Sequence, residues 1–211
     1  MTKAGRFITF EGGEGAGKST QLGLLAEALR GRGVDVLTTR EPGGAPGAEQ
    51  IRRLLVEGAV ERWDPLTEAL LHYAARREHL VRSVWPALAE GRWVVSDRFA
   101  DSTLAYQGYG HGLPEAALQR LYDVTVGSFA PDLTIILDLP VQDGLARAAG
   151  RGGVEDRYER MGHDFHHRLR QGFLAIAAAH PERCVVISAL GTVDEVQAAI
   201  WQAVETRLLP A

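Results

Sequence analysis

Residues Gly12 to Ser19 read GGEGAGKS and fit the spacing G-x-x-x-x-G-K-[ST]. Glycines at this spacing let successive backbone N–H groups converge on phosphate oxygens. Lys18 would reach the β- and γ-phosphates, and Ser19 would offer a hydroxyl to Mg²⁺. The segment Gly12, Gly13, Glu14, Gly15, Ala16, Gly17, Lys18, Ser19 and Thr20 is therefore the candidate ATP-binding element. A chance glycine turn would lack the apolar run Arg6–Glu11 before it and the helix-forming run after it. One residue is out of keeping, because Glu14 places an acid inside an anion cradle. Further charged residues follow other apolar runs. Arg40-Glu41 stands after Val34–Thr39, and Asp97-Arg98 after Trp93–Ser96. An acid in the position of Asp97 can hold a water on Mg²⁺, and it can equally cap a helix over Phe99–Tyr106. Arg98 brings five donors in a fixed fork, suited to a phosphate.

These groups need a scaffold that ends several strands on one side. Short apolar runs at Arg6–Glu11, Val34–Thr39, Trp93–Ser96, Leu133–Leu139 and Cys184–Ser188 read as five strands. Helical spacing fits Gly17–Arg30, Ala48–Glu57, Pro65–Glu90, Val141–Ala149, Asp156–Ala179 and Val193–Leu208. Alternation of this kind predicts an α/β fold: a five-stranded parallel sheet flanked by helices on both faces, of the P-loop kinase type. Ligands bind such sheets at the carboxyl ends of the strands. The glycine-dense stretch Ala148–Val154 is the candidate for a short mobile lid, about residues 147–157, within a single domain spanning 1–211.

Composition narrows the chemistry. The chain has 211 residues, 45% apolar and 24% charged, with a formal net charge of −4. That suits a globular domain, and argues against nucleic acid as the main partner. No run is long enough to span a bilayer, and no signal-like core precedes the first strand. The lone Cys184 cannot form an internal disulfide, which favours a reducing cytoplasm. His163, His166 and His167 share helical spacing, but no cysteine or acid cluster supports a metal site, so a solvated helix face is expected. No N-K-x-D string marks a guanine reader.

A small phosphate-loop domain with charged pairs at several strand ends looks like a nucleoside-monophosphate kinase. The resemblance becomes specific in six stretches: Phe10–Lys18, Thr39–Gly44, Tyr73–Arg76, Asp97-Arg98, Ser102–Gly108 and Asp164–His166. With these the sequence resembles the bacterial thymidylate kinase family over essentially its whole length. The resemblance implies transfer of the ATP γ-phosphoryl group to dTMP, giving dTDP, with Mg²⁺ at Ser19 and Asp97, in a homodimer. It places Arg98 on the dTMP phosphate, Arg40 beside the acceptor nucleotide, and Glu14 toward the sugar 3′-hydroxyl. Ser102, Thr103, Tyr106 and Gln107 would line the nucleoside, with Tyr106 under the sugar.

Arg76 matches the family arginine that hydrogen-bonds the base. Where relatives carry a stacking phenylalanine, this chain has His72. Residues 72 and 76 share a helix face, so His72 is expected to stack on thymine, with Tyr73 as the competing ring. Among the arginines around the lid, Arg151 is the first choice for a catalytic cation and Arg147 the second. Arg157 flanks the same segment. The catalytic set is thus Lys18, Arg98, Arg151 and Arg147. The alternatives are another pyrimidine nucleotide or deoxynucleoside kinase, or a nucleotide-binding regulator without turnover.

Overall fold

The structure, a computed structural model, describes residues 5–150 and 157–209. Arg151 lies outside the described residues. Five strands, β1 (Phe7–Glu11), β2 (Val36–Arg40), β3 (Trp93–Asp97), β4 (Leu133–Asp138) and β5 (Cys184–Ser188), form one sheet in the order β2-β3-β1-β4-β5. Every pairing is parallel. The apolar side chains of the three central strands, β3, β1 and β4, are buried on both faces, as a covered parallel sheet requires. The register aligns Phe10 and Arg40 with Asp97, so Glu11, Arg40 and Asp97 emerge along one edge.

On one face lie α1 (Lys18–Gly31) and α9 (Val193–Leu208). Leu22, Leu25 and Leu29 interlock there with Ile200 and Val204 over Ile8, Phe10 and Val95. The spacing of these leucines is that of one helical face. α9 starts at a capping box, in which Thr192 and Glu195 each satisfy the other's backbone N–H. Between them, α2 (Pro46–Val56) and α3 (Pro65–His79) follow β2. Asp64 caps α3 by accepting from the N–H groups of Leu66 and Thr67 at 3.0 and 3.3 Å, and Pro65 sits in its first turn.

The helix expected over Pro65–Glu90 is one continuous rod with a widened π-helical turn, Leu80–Val84, before α4 (Trp85–Ala89). Pro86 has no N–H for the regular ladder, which accounts for the widening just before it. The short α5 (Ala100–Thr103) likewise opens into π-helical turns over Leu104–Gly110. Two elements depart from the sequence reading. A helix α6 (Glu115–Thr125) fills a stretch that the reading left unassigned; only Leu118 of it is buried, so its periodic signal is weak. α7 (Val141–Ala149) falls as expected, but α8 (His163–Ala179) starts seven residues later than the expected Asp156. Gly162 is its extended N-cap.

Candidate active site

The phosphate loop is shaped by close backbone approaches. Gly12 has φ of 128°, and a Cβ there would meet the carbonyl oxygen of Leu137 at 2.4 Å. Gly15 has φ of 69°, and its Cβ would meet the carbonyl of Gly144 in α7 at 2.0 Å. Only glycine tolerates both the left-handed backbone and the contact. No side chain caps α1, so its first N–H groups and positive dipole end face the loop. Nζ of Lys18 donates to the carbonyls of Gly12 and Gly13 at 3.1 and 2.8 Å. Burial, and then the nearby Arg98 cation, lower its pKa to about 8. Ser19, in the first turn of α1, donates its hydroxyl to Oδ2 of Asp97 at 2.6 Å. Thr20, next to it, is exposed.

Arg98 ties the loop to the end of β3. It is the one non-glycine residue with positive φ among the described residues, at 72°. That conformation costs on the order of 1–3 kcal/mol and has to be held by its surroundings. Its N–H donates to Phe10, and its carbonyl accepts from Ser96 Oγ. The guanidinium donates to the Gly12 carbonyl (3.1 Å), Ser102 Oγ (3.2 Å) and Glu14 Oε1 (3.0 Å). Glu14 also accepts from the Tyr106 hydroxyl at 2.5 Å. Burial opposes ionisation of Glu14, but Arg98 and Lys18 outweigh it and hold the carboxyl at about 2. Glu11, the last residue of β1, accepts from the Phe99 N–H at 2.8 Å and from Ser102 Oγ at 2.5 Å, which fixes the turn after Arg98. Burial and Asp101 raise its pKa to about 7.

Beside this hub lies a cavity of about 150 Å³. Glu14, Arg40, His72, Arg76, Arg98, Ser102, Thr103, Tyr106 and Gln107 all line it, although they come from five segments of the chain. Arg76 is fully buried. Its Nε donates to Glu41 Oε2 at 2.7 Å, and its Nη2 to the Phe99 carbonyl and Thr103 Oγ1, both at 3.0 Å. Its Nη1 is a buried donor without a partner among the described residues. Glu41 also pairs with Nδ1 of His79 at 3.0 Å, and burial is outweighed there by Arg76, so the Glu41 pKa is lowered.

His72 faces the cavity, with Nε2 2.9 Å from the Tyr158 hydroxyl. Burial, then Arg76 and Arg157, lower its pKa to about 3, so the ring is neutral at ordinary pH. Tyr106 is wedged edge-on against Tyr158 and Phe173, with centroids 5.3 and 6.4 Å away. Arg40 reaches Glu49 at 3.2 Å from a half-exposed position on the rim.

Some expected residues sit elsewhere. Tyr73 is not on this cavity: it packs in the core with Phe7, Leu80 and Phe99, under the guanidinium of Arg76 at 4.9 Å. A quarter-turn of helix separates it from the face shared by His72 and Arg76. Arg147 donates to the carbonyl of Ala189 at 3.1 Å. Arg157 is no surface lid cation. It is 1% exposed and spends its donors on the carbonyls of Leu55, Ala59 and Val60 and on Glu68. Of the three histidines of α8, His163 and His167 are exposed, but His166 is buried beside Phe165. Sequence reasoning missed Tyr158, Arg52 and Val56 as lining residues; nothing in their spacing points to a site.

The arrangement offers two adjoining anion sites, a loop with Lys18 and a cavity with Arg98, plus an oxygen donor pair at Ser19 and Asp97. Comparison with known proteins gives the family. A family model for thymidylate kinase matches residues 10–200. The chain is 56% identical over 204 residues to a thymidylate kinase of Caulobacter vibrioides, covering 97% of this chain and 98% of that protein. It is 56% identical over 187 residues to one of Dinoroseobacter shibae, covering 89% and 90%. Among solved structures, thymidylate kinase from Ehrlichia chaffeensis matches with a TM-score of 0.79 and 36% identity, covering 95% of this chain and 99% of that one. The chain belongs to the thymidylate kinase family.

Proposed function

We propose that this chain transfers the γ-phosphoryl group of ATP to the 5′-phosphate of dTMP, giving dTDP and ADP. The observation that carries this reading is the bridge made by Arg98. Its guanidinium joins the phosphate loop, through Gly12 and Glu14, to the cavity lined by Arg76 and Gln107. Donor phosphates on the loop and an acceptor phosphate at Arg98 would meet end to end. An oxygen of the dTMP phosphate attacks the γ-phosphorus while the bond to the β–γ bridging oxygen breaks. Catalysis of this kind is mostly positioning and charge stabilisation. Lys18, released from the carbonyls of Gly12 and Gly13, follows the charge on the donor phosphates. Arg98 orients the attacking phosphate, and Arg151 supplies a further cation from the lid.

The donor set at Ser19 and Asp97 fits Mg²⁺. It pairs a hydroxyl with a carboxylate, both hard oxygen ligands, 2.6 Å apart. Mg²⁺ is commonly held by one or two protein oxygens together with substrate phosphates. When bound, Mg²⁺ would neutralise charge on the donor phosphates.

A homodimer is supported by an apolar stripe. Leu66, Leu70 and Val81 are exposed along the rod that begins with α3, and Val124 of the adjoining α6 is 83% exposed. Such a patch favours a protein partner. The buried free thiol of Cys184 fits a reducing cytoplasm. The deciding experiment is an ADP-release assay with dTMP, dUMP, dCMP and thymidine as acceptors. dTMP should be turned over with the highest kcat/KM. A preference for another acceptor would replace this reading with that of a different pyrimidine kinase, and no ADP release with any of them would end the enzymatic reading.

A further inference from the structure

Two residues that line the acceptor cavity each carry a buried polar atom without a partner among the described residues: Nη1 of Arg76, a donor, and Oε1 of Gln107, an acceptor. A thymine edge carries the complement, an O4 acceptor beside an N3–H donor. Cytosine carries the reverse, an N4 amino donor beside an N3 acceptor. Resting on the thymidylate kinase reading, we propose that Glu68 is the specificity-determining residue of this site. It does not touch the base; it fixes which end of the Gln107 amide does.

An amide has a donor end and an acceptor end, and only its neighbours decide between them. Gln107 is fully buried, and its Nε2 donates to Oε1 of Glu68 at 2.8 Å. A carboxylate offers no hydrogen, so a flipped amide would set oxygen against oxygen. The flip is blocked as long as the Glu68 carboxylate stays in place. Arg157 holds it there, with Nη2 2.5 Å from Oε2 of Glu68. Arg157 cannot follow Glu68 elsewhere, because three carbonyls at the end of α2 and in the turn beyond it already hold its guanidinium. The order Arg157, Glu68, Gln107 is thus a relay of donor and acceptor ends. It begins at a cation and finishes as an acceptor for N3–H.

Replacement of Glu68 by glutamine reverses the relay. Arg157 draws the new carbonyl oxygen to itself, and the new amino group faces Gln107. The Gln107 amide then turns, presenting its Nε2 to the base. Sites that read a hydrogen-bonding edge discriminate strongly because a mismatched analogue leaves buried groups unpaired.

The test measures kcat/KM for dTMP and dCMP with ATP in excess. Glu68→Gln should lower the dTMP-to-dCMP ratio by about tenfold or more. The loss should come from a higher KM for dTMP, and kcat/KM for dCMP should hold or rise. A residue that merely supports the fold would lower both substrates by the same factor, and that result overturns the proposal. If Glu68→Gln does not fold, the double variant Glu68→Gln/Arg157→Met removes the buried cation that has lost its carboxylate. It should also lower the ratio, since nothing then fixes the amide, and an unchanged ratio in it is equally fatal. A wild-type enzyme without a dTMP preference would instead sink the underlying reading, so the two failures are distinguishable.

Discussion

Nη2 of Arg98 lies 3.0 Å from Oε1 of Glu14, joining the end of β3 to the middle of the phosphate loop. The acid in the anion cradle is therefore turned away from the donor side. In the proposed reaction the backbone of the loop serves phosphate, and this side chain serves the neighbouring cavity. Its charge is matched by Arg98 and Lys18, which keep it ionised at about 2.

Lys18→Ala should lower kcat by at least roughly 10²–10³-fold, the usual scale for removing one group that stabilises developing charge. Among the described residues Lys18 bonds only backbone carbonyls of its own loop. The variant should stay folded by circular dichroism. Near-normal turnover would remove Lys18 from the mechanism.

Arg147 and Arg151 should separate kinetically. Arg151→Ala should depress kcat and kcat/KM together, by roughly 10³-fold if it acts on the transferring phosphoryl group. Arg147 is engaged with the carbonyl of Ala189, so Arg147→Ala should change kcat by less than about tenfold. The opposite ranking in steady-state assays would make Arg147 the catalytic cation.

Tyr106 has two separable parts. Its ring is braced by Tyr158, Phe165 and Phe173, and its hydroxyl is bound to Glu14. If the ring sits under the sugar, Tyr106→Ala should relax the preference for dTMP over ribothymidine monophosphate by roughly tenfold or more. Tyr106→Phe keeps the ring and should keep the preference. An unchanged kcat/KM ratio in the alanine variant would assign the ring to packing alone.

His72 should also make stability depend on pH. Its pKa is about 3 when folded, against 6.5 as the ordinary value. Below 6.5 the unfolded chain takes up a proton that the folded chain refuses, so stability falls with pH until about 3. At pH 5 this costs about 2 kcal/mol relative to neutral pH. His72→Phe abolishes the term, so its stability relative to wild type should improve by about that much from pH 7.5 to 5 in urea titrations. A constant difference across that range would mean the imidazole is not held neutral.

Legibility in the sequence followed distance along the chain. The phosphate loop is contiguous, so Gly12–Ser19 could be read directly, and the five strands showed as short apolar runs. Helix phase was also enough to set His72 on the same face as Arg76, but it left Tyr73 open as the competing ring. The acceptor cavity is different: it joins segments from Glu14 to Tyr158, and only the family resemblance brought those from Glu14 to Gln107 together. Arg157 had no local signal at all. Its partners Leu55, Ala59, Val60 and Glu68 lie about a hundred residues upstream, and in isolation it reads as one more lid cation. His166 misled for a smaller reason. One residue of helix phase decides between the solvated face of His163 and His167 and the core face of Phe165 and Leu169.

The last prediction concerns the base. His72 and Arg76 line one wall of the acceptor cavity, and Tyr158 fixes the imidazole at 2.9 Å. The neutral ring can stack on thymine while Arg76 meets its edge. An imidazole covers less of the base than a phenyl ring, and an offset aromatic pair contributes roughly 0.5–1.5 kcal/mol beyond area burial. His72→Ala should then raise the KM for dTMP by roughly 3–10-fold with little change in kcat, the pattern of lost uniform binding. His72→Phe gains ring area but gives up the Tyr158 hydrogen bond, and should leave the KM for dTMP equal to or below that of wild type. Tyr73 lies in the core under Arg76, so Tyr73→Ala should first lower stability, by about 3–5 kcal/mol as for other large-to-small core changes. The KM for ATP should be unmoved in both His72 variants. A sharp rise in the KM for dTMP on Tyr73→Ala, with His72→Ala silent, would reverse the assignment and make Tyr73 the stacking ring.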